Sequence, residues 1–210
     1  MSVHSHILHG LYAVTDSSLI PDMPLADAVA AAVRGGARLV QYRDKSADPA
    51  RRTYEAKALL KLCREHEIPL IINDDVELAA ALGADGVHLG REDAPLDEAR
   101  VRLGPRAIIG MSCYDSLKHA VAAQHAGADY VAFGSFYPSL SKPRTVRAPL
   151  ALLAEARQRL SVPICAIGGI TPENGATLFA AGADMLAVIS GLFGQADIEA
   201  AAQRYARLFK

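Results

Sequence analysis

The sequence lacks the features that mark several large classes of protein. Its 22 basic and 23 acidic residues leave a net charge of -1, which argues against a nucleic-acid or acidic-membrane surface. No apolar run reaches the length of a membrane span, and the first residues carry His4, His6 and His9 where a signal peptide would be basic and then apolar. We therefore expect a cytoplasmic protein without nucleic-acid or membrane partners.

Cysteine is scarce, and the usual catalytic motifs are missing. Cys63, Cys113 and Cys165 have neither zinc nor redox spacing, which fits a reducing cytosol, and we predict inert, buried roles for the last two. The sequence contains no Ser–His–Asp set, no nucleophile elbow, no glycine-rich first turn and no lysine placed for a Schiff base. Chemistry that depends on those groups is not expected here.

Nor does a linker or low-complexity segment divide the 210 residues, so we predict one domain. A short Gly-Ala motif recurs along the chain, and its four copies occupy residues 35–38, 82–85, 126–129 and 181–184. Each copy closes an Ala-rich helical segment and precedes an apolar run. Its glycine suits a left-handed helix cap, so each copy marks a junction between a helix and a strand.

These junctions and the apolar runs between them predict eight strands. The strands are 11–16, 37–43, 70–73, 87–90, 107–112, 130–134, 164–168 and 185–190. Helical stretches such as 49–66 and 117–126 separate them. Strict alternation of eight strands and helices favours an α/β single-domain (β/α)8 TIM barrel over a doubly wound sheet. Residues 1–10 are predicted to form a flexible N-terminal segment, and residues 11–210 the catalytic barrel domain.

Polar residues follow the second strand of the predicted barrel. Alternation would place Gln41, Arg43 and Lys45 on one face and Tyr42 and Asp44 on the other. Two cations and an amide at the end of a strand suit a phosphate or diphosphate group. A solvated strand end, with Arg43 paired to a local carboxylate, is the alternative.

Carboxylates follow the next two strands. Asp74 and Asp93 are the predicted ligands of a Mg²⁺ ion that shares a diphosphate with the cations, whereas Asp75 is expected to cap the following helix. His88 is predicted to point into the barrel as a hydrogen-bonded interior residue. Ser112, at the end of the fifth strand, could donate a hydrogen bond to a phosphate oxygen.

The last three strand ends complete the predicted site. The sixth is followed by a long loop reaching Arg147 that has the length of a lid, with Arg144 and Arg147 expected at its solvated surface. Glycine-rich turns after the seventh and eighth strands, at Gly168-Gly169 and Ser190-Gly191, predict a phosphate cradle of backbone amides. One cationic, metal-assisted anion site and one neutral site would suit a reaction that joins two phosphorylated molecules with loss of diphosphate.

Nearly the whole chain resembles the thiamine phosphate synthase family. The most specific segments are Gln41-Tyr42-Arg43-Asp44-Lys45, Asn73 to Ala79, and Asp85 to Asp93. Ser139-Leu140-Ser141-Lys142 and Ala166 to Ile170 add to them. The resemblance implies a Mg²⁺-dependent transferase of thiamine biosynthesis. It would join an aminopyrimidine methyl diphosphate to a thiazole ethyl phosphate, giving thiamine phosphate and diphosphate.

The resemblance also implies roles for individual residues. The pyrimidine diphosphate would be held by Gln41, Tyr42, Arg43, Asp44, Lys45, Asn73, Ser112 and Lys142. The thiazole phosphate would be held by Ser139, Leu140, Ser141, Gly169, Ile189 and Ser190, and the metal by Asp74 and Asp93. Arg43, Lys45 and Lys142 would be catalytic, stabilising the departing diphosphate as a pyrimidine carbocation forms. The expected partners are the two substrates, and a homo-oligomer is left open.

The sequence departs from the family pattern at three positions. Serines stand at 139 and 141 where the family usually has threonines, and Tyr114 stands where a histidine is common. No charged group or metal ligand is lost, so the departures bear on rate and thiazole preference. Two rivals are a thiazole tautomerase-like relative, which needs no diphosphate cluster, and a non-catalytic barrel that binds one phosphate ester without Mg²⁺.

Overall fold

The computed structural model describes residues 7–20, 22–138 and 147–210. Eight parallel strands close into a barrel in chain order, because β1 pairs with both β2 and β8. The strands are β1 (Gly10–Val14), β2 (Ala37–Tyr42), β3 (Leu70–Asn73), β4 (Gly86–Leu89), β5 (Ile108–Tyr114), β6 (Tyr130–Phe133), β7 (Ile164–Ile167) and β8 (Met185–Val188). The predicted (β/α)8 TIM barrel is confirmed, with every strand boundary within two residues of its prediction.

Helices alternate with these strands and cover the outside of the barrel. In the described residues they are α1 (Leu25–Arg34), α2 (Pro49–Glu65), α3 (Val76–Leu82), α4 (Leu96–Leu103), α5 (Leu117–His125), α6 (Ala151–Arg159), α7 (Pro172–Ala180), α8 (Ser190–Phe193) and α9 (Ile198–Ala206). Short 3-10 turns occupy Ser17–Leu19 and Arg207–Phe209. The predicted N-terminal segment 1–10 lies partly outside the described residues, and Gly10 already belongs to β1.

The recurring Gly-Ala motif forms the predicted junctions between helices and strands. One glycine in each copy has a positive φ: Gly36 at +107°, Gly83 at +62°, Gly127 at +95° and Gly182 at +116°. Residues with a Cβ rarely adopt this conformation, so glycine allows each helix to stop and the chain to turn into the next strand. The predicted left-handed caps are confirmed.

Three copies of the Gly-Ala motif end in an aspartate that joins two neighbouring strands by a hydrogen bond. Asp85 accepts a hydrogen bond from the Leu70 amide at 2.8 Å, Asp129 from the Ile109 amide at 2.9 Å, and Asp184 from the Ile164 amide at 2.7 Å. Each aspartate precedes one strand and binds near the start of the strand before it. At the N-terminal end of the barrel, the same carboxylate–amide contact therefore joins three pairs of strands. This repeated contact was not predicted from the sequence pattern.

Alternation along the strands separates two apolar cores. One core lies between the barrel and its helices, and the other fills the barrel interior with residues such as Leu39, Ile71 and Met185. The inward positions become polar towards the C-terminal ends of the strands, where Gln41 and His88 are nevertheless buried. Among the described helices, none has both the length and the apolar character needed to cross a membrane.

Candidate active site

A cavity of about 150 Å³ opens at the C-terminal end of the barrel. Its polar lining residues are Tyr12, Gln41, Arg43, Asn73, His88, Ser112, Tyr114 and Ser135. Apolar side chains, including Val14 and Ile189, form the remaining wall. Because loops at this end of a (β/α)8 barrel build the active site, the cavity is the candidate catalytic pocket.

A larger groove of about 600 Å³ lies outside the barrel mouth, between α3 and α4. Its charged residues are mostly acidic: Asp74, Asp75, Glu77, Asp97 and Glu98 beside Arg102. The groove is open to solvent, and its negative charge would repel a phosphorylated ligand. Volume therefore does not identify the site here, and the smaller cavity inside the barrel mouth is the better candidate.

The structure brings Gln41 and Arg43 of the predicted cluster to the cavity. The Arg43 side chain is only 12% exposed, and its Nη1 lies 3.5 Å from the Asp16 carboxylate. Its backbone amide donates to the Thr15 hydroxyl at 2.8 Å, which fixes the end of β2 against β1. Arg43 thus has the local carboxylate that the alternative interpretation required, yet it is not a solvated residue.

Lys45, Tyr42 and Asp44 are not brought to the cavity in the same way. Strand β2 ends at Tyr42, so alternation no longer determines where Lys45 points, and this lysine lies exposed in the following loop. The Tyr42 hydroxyl donates to Glu55 on α2 at 2.9 Å, and Asp44 accepts hydrogen bonds from Ser46. The side chains of Tyr42 and Asp44 are therefore engaged on the outer side of the barrel.

Two carboxylates adjoin each other after β3 and β4, and Asp74, which also lines the outer groove, is hydrogen-bonded to the cavity residue Asn73. Asp74 has a φ of +64° and accepts a hydrogen bond from Asn73 Nδ2 at 2.6 Å, while Asp93 accepts one from the Gly90 amide at 2.5 Å. Partial desolvation and the adjoining Asp93 carboxylate raise the pKa of Asp74 to about 6, although Arg43 acts in the opposite direction. Like charges held this close would be relieved by a cation.

This pair fits a Mg²⁺ ion that is completed by its substrate. The described residues contain no group of three acidic, histidine or cysteine ligands that could hold a metal by itself. Mg²⁺ commonly takes one or two carboxylates together with water and phosphate oxygens, so two adjoining aspartates have the chemistry of a site that a phosphorylated ligand would complete. Asp75 has the other predicted role, because its Oδ1 caps α3 by accepting from the Leu78 amide at 2.8 Å.

His88 lies in the barrel interior, as predicted, and is hydrogen-bonded through both ring nitrogens. Its partners are the Tyr130 hydroxyl at 2.9 Å and the Ser112 hydroxyl at 2.8 Å. Tyr12, which lies on β1, is bonded to Tyr130 in turn. Neither tyrosine was predicted as a site residue from the sequence. Strand alternation was the available signal, since it places Tyr12 on the same face as the cavity residue Val14.

A second, smaller cavity of about 20 Å³ lies where β7 and β8 end. It is lined by residues 167–170 and 187–191, which include the predicted Gly169, Ile189 and Ser190. Gly168 and Gly169 have φ of +104° and +63°, and no side chain caps the first turn of α8, which starts at Ser190. The structure therefore brings the three predicted residues together around a pocket built mainly from backbone.

Side chains from the surrounding helices hold this backbone in place. Asn174 Nδ2 donates to the Gly169 carbonyl at 3.0 Å, and the Tyr205 hydroxyl donates to the Ile170 carbonyl at 2.9 Å. A trans peptide points its N–H away from its carbonyl, so the Ile170 amide faces away from Asn174 and α7. Amides fixed in this way suit a phosphate monoester.

The loop after β6 carries further predicted residues. Ser139, Leu140, Ser141, Lys142 and Arg144 lie outside the described residues, so their predicted roles stay predictions. The described flanks converge, because the Ala148 amide donates to the Ser135 carbonyl at 2.9 Å. The base of this loop therefore lies at the cavity, where Ser135 contributes to the lining.

The cysteines have no exposed thiol. Cys63, Cys113 and Cys165 are free and buried. Burial raises the pKa of the Cys113 thiol to about 12 and that of the Cys165 thiol further, which removes thiolate character at neutral pH. The predicted inert roles of these two residues are confirmed.

Comparison with known proteins identifies the family. A family model described as thiamine monophosphate synthase matches residues 11–192. The chain belongs to the thiamine monophosphate synthase family. Its activity is that of a transferase of thiamine biosynthesis, the synthesis of thiamine phosphate from a pyrimidine diphosphate and a thiazole phosphate.

Close relatives span almost the full chain. A thiamine-phosphate synthase of Thioalkalivibrio sulfidiphilus is 56% identical over 97% of this chain and 96% of its own length. One from Nitrosococcus oceani is 54% identical over 98% of this chain and 94% of its own. Among solved structures, a thiamine phosphate pyrophosphorylase of Pyrococcus furiosus matches with a TM-score of 0.85 and 36% identity, covering 96% of both chains. Family, fold and activity thus agree with the resemblance noted from the sequence.

Proposed function

We propose that this thiamine phosphate synthase works with Mg²⁺ and divides its substrates between the two pockets of the barrel mouth. The pyrimidine diphosphate occupies the polar cavity of β2 to β5, and the thiazole phosphate occupies the backbone cradle of β7 and β8. The observation that carries the proposal is the adjacency of these pockets, which share four lining residues, Ile167, Gly168, Ala187 and Ile189. Two substrates bound there would meet at the shared wall.

In the polar cavity, Gln41 and Asn73 recognise the pyrimidine end while Arg43 and Ser112 contact the diphosphate. The position of Arg43 supports its part, because a guanidinium that is 12% exposed interacts strongly with an anion entering the cavity. Lys45 and Lys142 supply further positive charge from the two loops beside the mouth. Tyr42 and Asp44 contribute through their backbone, since their side chains are engaged elsewhere.

Asp74 and Asp93 hold the metal at the rim of this cavity. The raised pKa of Asp74 supports this assignment, because the adjoining Asp93 carboxylate adds to the larger effect of burial in raising it. Bound Mg²⁺ would neutralise negative charge on the diphosphate as that group departs. Arg43 lies beside Asp74 and would interact with the same phosphate oxygens.

The cradle holds the thiazole phosphate through backbone amides at Gly169, Ile189 and Ser190, and the predicted roles of Ser139, Leu140 and Ser141 would add contacts to the same substrate. No general base is required, because a thiazole ring nitrogen attacks carbon without losing a proton. The chain's residues therefore act by positioning both substrates and stabilising the leaving group. This accounts for a site that has anion-binding groups but lacks a catalytic triad.

Diphosphate release provides the test of the metal assignment. We expect release only when both substrates and Mg²⁺ are present, with an Asp93→Asn variant needing at least about tenfold more Mg²⁺ for half-maximal rate. Asp97→Asn is the matched control, because Asp97 is an exposed acid in the nearby groove. A wild-type rate that does not depend on Mg²⁺, or equal Mg²⁺ requirements in both variants, would refute the metal site.

Lys142 gives an independent test of leaving-group stabilisation. A Lys142→Ala variant should turn over on the order of 10²-fold more slowly while its melting temperature stays unchanged. Turnover at the wild-type rate would show that this lysine does not contact the diphosphate.

We also propose that the protein acts in the cytoplasm with the two substrates as its partners. Three free, buried cysteines support a reducing compartment. Fractionation of cells producing the full chain would test this, since recovery of the activity outside the cytosolic fraction would contradict it.

A further inference from the structure

A continuous chain of hydrogen bonds crosses the floor of the polar cavity and uses one side chain from each of five strands. Gln41 Nε2 donates to the Tyr12 hydroxyl at 2.8 Å, and the Tyr12 and Tyr130 hydroxyls are 2.9 Å apart. His88 continues the chain, with Nδ1 at 2.9 Å from Tyr130 and Nε2 at 2.8 Å from Ser112. We call these five side chains the Gln41–Ser112 chain.

The number of protons available gives this chain a direction. Each tyrosine hydroxyl has one proton to donate, and a neutral imidazole has one N–H. Because Gln41 donates to Tyr12, the Tyr12 proton goes to Tyr130, and the Tyr130 proton then goes to His88 Nδ1. His88 in that state carries its proton on Nε2 and donates it to Ser112.

The two ends of the chain therefore present opposite hydrogen-bonding groups to the cavity. The Gln41 amide uses its nitrogen on Tyr12, which leaves its carbonyl oxygen as the acceptor. Ser112 accepts from His88, which leaves its own proton for a ligand. If the Gln41 amide turned over, every proton in the chain would reverse, and Ser112 would donate to His88 instead.

Packing prevents the middle of the chain from adjusting in any other way. Tyr12 and Tyr130 are 1% and 0% exposed, and the Tyr130 ring stacks on His88 with centroids 5.5 Å apart. The ring of Tyr130 also fills the space beside Gly110, where a Cβ would approach its Cζ to 2.0 Å. The rings cannot swing away, so proton reversal is the change that remains open to them.

We propose that the Gln41–Ser112 chain couples recognition of the pyrimidine amino group to recognition of the diphosphate, with Tyr12, Tyr130 and His88 as positioning residues. This inference rests on the proposed placement of the pyrimidine diphosphate in the cavity. An amino group that donates to the Gln41 carbonyl favours the direction in which Ser112 offers its proton to a phosphate oxygen. A ring carbonyl in its place favours the reverse direction, which turns the Ser112 lone pairs towards the phosphate.

The chain would therefore reject an oxo analogue at both ends of the ligand at once. The quantity to measure is the ratio of kcat/KM for the aminopyrimidine diphosphate to that for the analogue with a ring carbonyl in place of the amino group. Tyr130→Phe removes one hydroxyl and should lower this ratio roughly tenfold, while the variant still turns over the amino substrate. Tyr12→Phe should lower it by a similar factor.

The double variant distinguishes coupling from two independent losses. Once the chain is broken, a second break has nothing left to transmit, so Tyr12→Phe with Tyr130→Phe should have the same ratio as either single variant. Tyr54→Phe is the matched control, since Tyr54 lies exposed on α2, outside both pockets. That variant should leave the ratio unchanged.

An unchanged ratio in both single variants, or additive reductions in the double variant, would overturn the coupling. If Tyr130→Phe does not fold, Tyr12→Phe alone decides by the same ratio, because it breaks the chain at the preceding link. If the proposed function itself were wrong, the wild-type protein would show no turnover of the amino substrate, which distinguishes this outcome from a failure of the coupling.

Discussion

The two ends of the barrel are built on different principles. At the N-terminal end, Asp85, Asp129 and Asp184 repeat one contact, a carboxylate accepting a backbone amide of the neighbouring strand. At the C-terminal end the described residues show no such repeat, and strands β1 to β5 and the loop after β6 contribute different polar side chains to the cavity. Repetition at one end thus supports the fold, and variation at the other end carries the chemistry.

The C-terminal end is itself divided into a charged half and a neutral half. In the proposed function, Arg43, Asp74 and Asp93 act through side-chain charge, whereas Gly169 and its neighbours act through backbone shape. Substitutions at the N-terminal end should therefore affect stability, and those at the C-terminal end should affect activity. Within the C-terminal end, a change in the charged half should affect the pyrimidine diphosphate, and a change in the neutral half should affect the thiazole phosphate.

The largest effect is expected in the charged half. Arg43→Ala removes a cation from a confined cavity, so kcat/KM for the pyrimidine diphosphate should fall on the order of 10²- to 10³-fold. The melting temperature should change little, because the ion pair of Arg43 with Asp16 is long at 3.5 Å. Arg34→Ala, which removes an exposed arginine paired with Glu199, is the control and should leave steady-state kinetics unchanged.

The neutral half should respond to a change of backbone shape. At Gly169 the φ is +63° and a Cβ would approach the Pro138 carbonyl oxygen to 2.3 Å, so Gly169→Ala must displace the cradle. We expect KM for the thiazole phosphate to rise roughly 10- to 100-fold, with less effect on KM for the pyrimidine diphosphate.

Gly104 provides the matched control for this change. Its φ is +86°, but a Cβ there would meet no atom within 4 Å. Gly104→Ala should therefore lower stability through backbone strain alone and leave both KM values unchanged. Equal rises of both KM values in Gly169→Ala would contradict a separate thiazole phosphate site.

At the N-terminal end, stability should change without activity. Asp129→Ala leaves the buried Ile109 amide without its partner and removes the ion pair to Arg100, which costs about 1–3 kcal/mol. For a chain of this size that lowers the melting temperature by several degrees, on the order of 2–4 °C per kcal/mol. Steady-state assays below the melting temperature should give a wild-type kcat, with Asp27→Ala as an exposed control.

The smallest expected effect is a pH dependence of metal-free stability. Because the pKa of Asp74 is raised to about 6, the folded protein binds more protons than the unfolded chain between its ordinary pKa of 3.8 and 6. This group therefore makes stability fall as pH rises through that interval. Asp74→Asn should remove the decline, so the variant gains relative to wild type above pH 6.

Thermal melts in chelator from pH 4 to pH 7 would measure this difference. Added Mg²⁺ should then raise the melting temperature of wild type and not that of the variant. A difference between the two proteins that stays constant with pH would show that Asp74 has an ordinary pKa.

The sequence was sufficient to predict the fold because the fold depends on repetition. Short apolar runs recur eight times around the barrel and glycine-bearing helix ends recur at four of its junctions, and each recurrence supports the others. Single residues at the site were predictable where strand alternation applies, as for Gln41 and His88, and it still holds at Arg43, one residue past β2. By Lys45 alternation no longer applies, and this lysine lies in the exposed loop.

Contacts between distant strands were not predictable from local patterns. The bond between Tyr12 and Tyr130 joins residues 118 positions apart, and Gly110 has to lack a side chain for the Tyr130 ring to fit. The three aspartates of the recurring Gly-Ala motif were visible in the sequence, but their amide partners lie 15 to 20 residues away. Such partners become evident only when the barrel has closed.

Calorimetric titration of each substrate alone, with and without Mg²⁺, tests the division of the site most directly. Mg²⁺ should strengthen binding of the pyrimidine diphosphate about tenfold or more and change that of the thiazole phosphate by less than about twofold. The Asp93→Asn variant should lose this effect of Mg²⁺ if the protein holds the metal, and should keep it if the diphosphate brings the metal from solution. Equal dependence of both substrates on Mg²⁺, or no dependence for the pyrimidine diphosphate, would contradict the account.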